Sequence, residues 1–139
     1  LGQLVRLDAE DSRRLSDYGR ALAAAGRQPE ALRTAEELAA RAVFNPELVP
    51  QAAELYASIK EPAKARELYA RAIAADPDDP MLLYNAACNF AQLGRIDEAV
   101  SALEQAVDRG YGDRSWMEHD SDLDSIRDTP RYKAIVQAM

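Results

Sequence analysis

Cysteine and histidine are scarce in this 139-residue chain, which contains one of each. The single cysteine, Cys88, has no partner for an internal disulfide, and one thiolate cannot build a zinc cluster. The single histidine, His119, excludes a histidine pair, and the sequence offers it no nucleophile in a Ser-His or Cys-His pattern. We therefore expect Cys88 to be packed on a helix, His119 to lie on the surface, no catalytic residues, and a protein that is not an enzyme.

Basic charge and long apolar runs are scarce as well. Lysine and arginine number 17 against 24 acidic residues, which gives a net charge of −7. Without a basic stripe such a chain repels a phosphate backbone, so nucleic acid is not an expected partner. No apolar run approaches the roughly 20 residues of a membrane helix, so a membrane is not an expected partner either. We predict a cytoplasmic protein and allow for a trimmed N-terminus, because the chain begins with Leu1 rather than Met.

Metal and phosphate motifs are missing. Asp120, Asp122 and Asp124 alternate like the first ligands of a calcium loop, but the sixth loop position is Ser125 and the twelfth is Arg131. The six glycines are scattered and form no phosphate-binding loop. We predict no metal site and no cofactor, and we interpret the three aspartates as caps of short helices.

A repeat of 34 residues is the strongest positive signal. The segments that begin at Gly26, Lys60 and Gly94 align with one another at this spacing. In the same register, small residues occupy one column and large residues another, as in these two sets: Ala31, Ala65 and Ala99; Leu22, Tyr56 and Phe90. Small residues allow two helices to cross closely, and large ones fill the gaps between neighbouring helix pairs.

This pattern resembles the tetratricopeptide repeat. The resemblance implies an all-α fold, in which antiparallel helix hairpins, each with a helix A and a helix B, form a right-handed solenoid with a C-terminal helical cap. It divides the chain into the end of a truncated preceding repeat, as its helix B (1–11), three repeats (12–45, 46–79 and 80–113) and a capping segment (114–139). Two departures are expected to matter: Asn45-Pro46 comes three residues late, which predicts a first B helix about one turn longer, and Pro62 should begin the second B helix.

The C-terminal segment has its own pattern. Trp116 and Met117 are predicted to insert into the last repeat, and Thr129-Pro130 should cap and begin a final helix whose apolar face is formed by four residues: Tyr132, Ile135, Val136 and Met139. The tryptophan, the Asp-x-Asp-Leu-Asp run and the Asp-x-Pro-Arg-aromatic motif resemble a segment that ends such arrays in bacterial multidomain proteins. That resemblance implies a larger bacterial signalling or regulatory parent protein.

The resemblance also implies where a protein partner would bind, because defined columns of helix A face the concave groove of the solenoid. We call these residues the groove positions: Arg13, Ser16, Arg20, Glu47, Glu54, Met81, Tyr84, Asn85, Cys88 and Gln92. The arginines could hold an acidic side chain, and Met81, Tyr84 and Cys88 would suit an apolar anchor. The predicted function is a protein–protein interaction scaffold that binds a peptide or a neighbouring domain. The alternative is a homodimer that pairs through the final helix or through an open N-terminal edge formed by Leu1, Leu4 and Leu7.

Overall fold

The fold is all-α. A computed structural model describes residues 2–139, with side chains from Glu10 onward. Within that range the chain forms eight α-helices and two short 3-10 helices, and no strand. The α-helices are α1 Gly2–Ala24, α2 Gln28–Ala42, α3 Val49–Ser58, α4 Pro62–Ala75, α5 Pro80–Gln92, α6 Ile96–Asp108, α7 Arg114–His119 and α8 Pro130–Ala138, and the 3-10 helices are Pro46–Leu48 and Ser121–Leu123. The predicted fold class is confirmed.

The chain forms two compact units, one ending at Leu68 and the other beginning at Tyr69. In the first, α1 packs against α2 and both pack against α3. In the second, α5 and α6 form a hairpin that also packs against the C-terminal segment.

Three helix ends repeat one backbone geometry at the 34-residue spacing. Gly26, Lys60 and Gly94 have positive φ angles of 78°, 64° and 75°. In each case the next amide donates to a carbonyl five residues earlier, as from Arg27 to Leu22 at 2.9 Å. This is the Schellman end of a helix, which favours glycine because a side chain crowds the left-handed conformation. Lys60 adopts it as well, and α4 begins two residues later at Pro62, as predicted.

The helix crossing of the first unit depends on Gly19. A Cβ atom at this position would lie 2.4 Å from Leu55 Cδ2 and 3.0 Å from Thr34 Cγ2. Both neighbours are buried. The same column holds Ala53 and Ala87 in the later repeats, so the small residues lie where the register predicts a close approach.

Two expectations for the first repeat are wrong. The B helix does not gain a turn: α2 ends at Ala42 and has 15 residues against 14 in α4. Asn45 has extended backbone angles, which the residue before a proline favours, and its side chain accepts a hydrogen bond from the amide of Glu47. The chain also does not turn near residue 11, because α1 runs unbroken from Gly2 to Ala24. Leu1 and the side chains of Leu4 and Leu7, which would form the open edge, lie outside the described residues.

The capping segment is anchored by three side chains with no exposed surface: Met117, Leu123 and Ile126. Trp116, by contrast, is 59% exposed, so its predicted insertion is wrong. Asp113 caps α7 by accepting from the amide of Trp116, and the roughly 100° step of a helix then turns Met117 inward while its neighbour points outward.

The final helix begins as predicted. Thr129 accepts from the amide of Tyr132, and Pro130 is the first helical residue. Tyr132 and Ile135 are buried, whereas Met139 is 36% exposed. The apolar face of α8 is therefore largely covered within its own unit.

Candidate functional site

The groove positions of the first unit are mainly exposed and charged. Arg13 and Arg20 lie two turns apart on α1, and Glu47 and Glu54 lie at the same spacing on the adjoining 3-10 turn and α3; all four are exposed. Ser16 is buried, and its hydroxyl accepts a hydrogen bond from Arg20 at 3.2 Å. This unit therefore presents arginines on one A helix and glutamates on the next.

The groove positions of the second unit differ in exposure along α5. Met81 and Gln92 are exposed, Asn85 is half-buried, and Tyr84 and Cys88 are buried, with 3% and 8% of their surface accessible. Tyr84, Cys88 and Gln92 are spaced four residues apart, which places them on one face of the helix.

That face is covered by the chain's own C-terminal segment. The Tyr84 hydroxyl donates to Asp120 Oδ2 at 2.6 Å, and the Cys88 thiol donates to the same oxygen at 3.6 Å. Further along, Gln92 Nε2 donates to Asp122 Oδ1 at 3.0 Å. Three side-chain donors of α5 thus meet two carboxylates, and we call them the donor row.

The donor row is electrically neutral at physiological pH. Burial, with the hydrogen bond to Asp120, raises the pKa of Tyr84 far above its ordinary value. Burial, with the nearby charges of Asp120 and Asp122, also raises the pKa of the Cys88 thiol. Cys88 Sγ and one oxygen of each carboxylate lie within 4.8 Å of one another. A thiol with a raised pKa is a poor nucleophile because that role needs the thiolate. The arrangement suits hydrogen bonding to carboxylates.

Asp122 carries an electrostatic cost in this position. Burial raises its pKa above the ordinary 3.8, and the charges of Asp120 and Asp124 raise it further. The ionised carboxylate is therefore less favourable in the folded chain than in water.

Arg127 shapes the loop that carries the aspartates. Its guanidinium donates to the carbonyls of Met117, Glu118 and Asp120 at 3.1, 2.7 and 2.6 Å. Two of these carbonyls belong to the last turn of α7, where a helix leaves its acceptors unsatisfied. The arginine therefore closes the end of α7 and fixes the backbone from which Asp120 reaches α5.

These residues have other partners than the sequence indicates. The sequence suggests an apolar anchor for an external ligand at Met81, Tyr84 and Cys88, whereas Tyr84 and Cys88 donate to a carboxylate of the same chain. The sequence also suggests a helix cap at Asp120, and Asp120 does accept from the amide of Asp122 at 3.0 Å while its other oxygen meets α5. The four-residue spacing of donors on α5 was the available signal, but the sequence does not indicate which segment lies opposite.

Comparison with known proteins identifies the repeat. Two family models, both described as tetratricopeptide repeat, match residues 46–87 and 82–109. A chloroplastic protein of Arabidopsis thaliana is 32% identical over 54 residues, a stretch that is 39% of this chain and only 16% of that protein. The solved structure of the Yersinia enterocolitica type III secretion chaperone SycD, in complex with a peptide of the translocator YopD, matches with a TM-score of 0.55 and 16% identity, over 93% of this chain and 95% of that one.

Residues 46–109 of the chain are tetratricopeptide repeats. Arrays of such repeats offer extended surfaces for protein–protein interaction. Within the residues that the structure describes, no helix is both long and apolar enough to cross a bilayer.

Proposed function

We propose that this chain is a protein–protein interaction scaffold, and that the groove positions of its first unit bind a peptide or a neighbouring domain. The proposal rests on the repeat class and on one observation. The two arginines of α1 and the two glutamates of the following 3-10 turn and α3 are exposed, whereas Tyr84 and Cys88 on α5 are covered by the C-terminal segment. The structural neighbour SycD is seen with a bound translocator peptide, which supports the same mode here.

The partner segment that fits this surface carries charges of both signs. Arginines on α1 would pair with its acidic side chains, and the glutamates of the 3-10 turn and α3 would pair with its basic ones. Arg20 already contacts Asp17 at 3.7 Å, but both side chains are more than half exposed, so that ion pair is weak and an incoming carboxylate can replace it. Since exposed charges at distance are screened by salt, we expect binding to weaken as ionic strength rises.

The repeat limits 12–45, 46–79 and 80–113 remain part of this proposal, as does the larger bacterial signalling or regulatory parent protein that the C-terminal motif suggests. The proposed role is non-enzymatic. Self-association through α8 has less support, because Tyr132 and Ile135 are buried within their own unit.

The test is a capture experiment with matched charge reversals. The chain and two double variants are used as baits, and captured proteins are identified by mass spectrometry. Arg13→Glu with Arg20→Glu changes the groove positions; Arg14→Glu with Arg33→Glu makes the same charge change at exposed positions outside them. All baits are first checked for helicity by circular dichroism and for mass by light scattering at several concentrations.

The expected result is a partner kept by the chain and by the control variant and lost with the groove variant, confirmed as a change in Kd by calorimetry with the purified partner. Equal retention by both variants would contradict the proposed surface. A mass that doubles with concentration would instead favour the homodimer.

A further inference from the structure

The donor row of α5 coincides with three of the groove positions. Tyr84, Cys88 and Gln92 occupy helix A columns that the repeat register assigns to ligand contact, and each donates a hydrogen bond. Their acceptors are not in another molecule but in residues 118–124 of the same chain, which we call the acidic segment. The segment therefore occupies the positions that a ligand of this repeat would use.

Tyr84, the first residue of the donor row, is held in place independently of the acidic segment. The ring of Tyr84 stacks on Tyr111 with centroids 4.2 Å apart and an angle of 6° between the planes. Tyr111, which follows α6 in the sequence, is itself buried. Because packing fixes the ring, the hydroxyl is aimed before any carboxylate arrives, which lowers the entropic cost of binding one.

The acidic segment is held by buried apolar anchors and by the hydrogen bonds of Arg127 to its backbone. Met117 before it and Leu123 within it are fully buried, and Ile126 follows as a third anchor. Between the first two anchors, Glu118 and His119 are exposed and Asp120 to Asp122 are exposed or half-buried. The backbone here is held by Arg127, so the Asp120 and Asp122 side chains can leave the donor row by rotating toward water while the anchors stay packed.

Repulsion among the aspartates of the acidic segment favours such a rotation of their side chains. Asp120, Asp122 and Asp124 stand at alternate positions, and the pKa of Asp122 is raised by burial and by its two neighbours. A partner that supplies the carboxylates from a separate molecule would allow these three aspartates to return to water, where their charges are screened.

We propose that the donor row is a carboxylate-binding subsite for an acidic partner segment with two carboxylates two residues apart, and that the chain's acidic segment is a built-in competitor for it. This inference rests on the proposed scaffold function and adds a second, autoinhibited contact to it. The neutral donors select carboxylate by hydrogen bonding rather than by opposite charge. A tethered competitor acts at an effective concentration on the order of millimolar, so a free peptide at micromolar concentration will not displace it from the unmodified chain.

The test uses a fluorescein-labelled synthetic peptide with the sequence of residues 118–124 as the probe, and fluorescence anisotropy as the readout. The control peptide carries asparagine in place of the aspartates equivalent to Asp120 and Asp122. Removing the competitor with Asp120→Ala and Asp122→Ala should tighten binding of the acidic peptide at least tenfold relative to the unmodified chain. Adding Tyr84→Phe and Gln92→Leu to that variant should reverse the gain, and the control peptide should not bind.

The thiol of Cys88 gives a second readout in the same samples. Removal of Asp120 should speed its reaction with a disulfide reagent, and the acidic peptide should slow it again. If the alanine variant loses helicity, Asp120→Asn with Asp122→Asn keeps the capping acceptor and replaces it in every comparison. Binding of both peptides alike, or no gain over the unmodified chain, would overturn the inference and leave the acidic segment a structural cap. The capture experiment with the arginine variants would be unaffected, so failure here is distinguishable from failure of the scaffold proposal.

Discussion

Replacing Gly19 by alanine sets two effects of opposite sign against each other. Alanine stabilises a helix interior by about 1 kcal/mol relative to glycine. The new methyl group, however, would lie 2.4 Å from Leu55 Cδ2 and 3.2 Å from Leu55 Cδ1. Leu55 is only 1% exposed, so its side chain must move against buried neighbours rather than into water.

The sizes of these two effects decide whether Gly19→Ala raises or lowers the stability of the chain. Overpacking of a buried site costs about 1 to 3 kcal/mol, which exceeds the helix gain over most of that range. We therefore expect Gly19→Ala to lower the free energy of unfolding by about 1 kcal/mol, measured by urea titration with circular dichroism. Ala21→Gly, at an exposed position of the same helix, measures how much glycine destabilises α1 when no packing changes, and it should cost about 1 kcal/mol.

A double-mutant cycle with Leu55→Ala tests the cause. Truncation of this leucine should cost about 2 to 5 kcal/mol by itself, but it removes both atoms that crowd the new methyl group. In that background Gly19→Ala should become neutral or stabilising by up to about 1 kcal/mol. An equal loss in both backgrounds would refute the close-crossing explanation.

Four further changes are expected to have measurable outcomes in the same urea titrations. Lys60→Gly should stabilise the chain by about 0.5 to 1 kcal/mol, because it relieves a left-handed residue at the end of α3; a loss would mean that the lysine side chain contributes more than its backbone costs. Ala99→Leu should destabilise by about 1 to 3 kcal/mol through overpacking, and unchanged stability would contradict the repeat register. Arg127→Ala should cost about 1 to 3 kcal/mol, and Arg127→Lys should recover only part of it, since an ammonium cannot span the three carbonyls. Asp122→Asn keeps an acceptor for the Gln92 side-chain amide and should stabilise the chain at pH 7. Because folding raises the pKa of Asp122, this gain in stability should vanish as the pH falls below the ordinary value of 3.8. A gain that persists at that pH would contradict an electrostatic origin.

Local rules account for what the sequence predicted well. The predicted cap at Thr129 and the predicted start of α4 at Pro62 depend on residues that lie within a few positions of one another. The columns of small residues can also be predicted, because the 34-residue register places them at the same position in each repeat. Such features need no knowledge of the distant parts of the chain.

The donor row could not be predicted, because it joins positions far apart in sequence. Tyr84 and Asp120 are separated by 36 residues, and Gln92 and Asp122 by 30. Their pairing depends on the path of the segment between Asp113 and Ile126. That segment follows no repeat and is held by its buried apolar side chains together with Arg127. The predicted insertion of Trp116 failed for the same reason, because the start of α7 decides which of two adjacent apolar residues faces inward.

The exposed position of Trp116 affects which changes of the protein can be followed by fluorescence. Trp116 is the chain's single tryptophan, and with 59% of its surface in water its emission should already resemble that of an unfolded chain. Tryptophan fluorescence is therefore a poor reporter of global denaturation here. Trp116 lies on the short helix α7, two residues before the acidic segment. Quenching of its fluorescence by a soluble quencher would therefore report on the capping segment and not on the remaining helices.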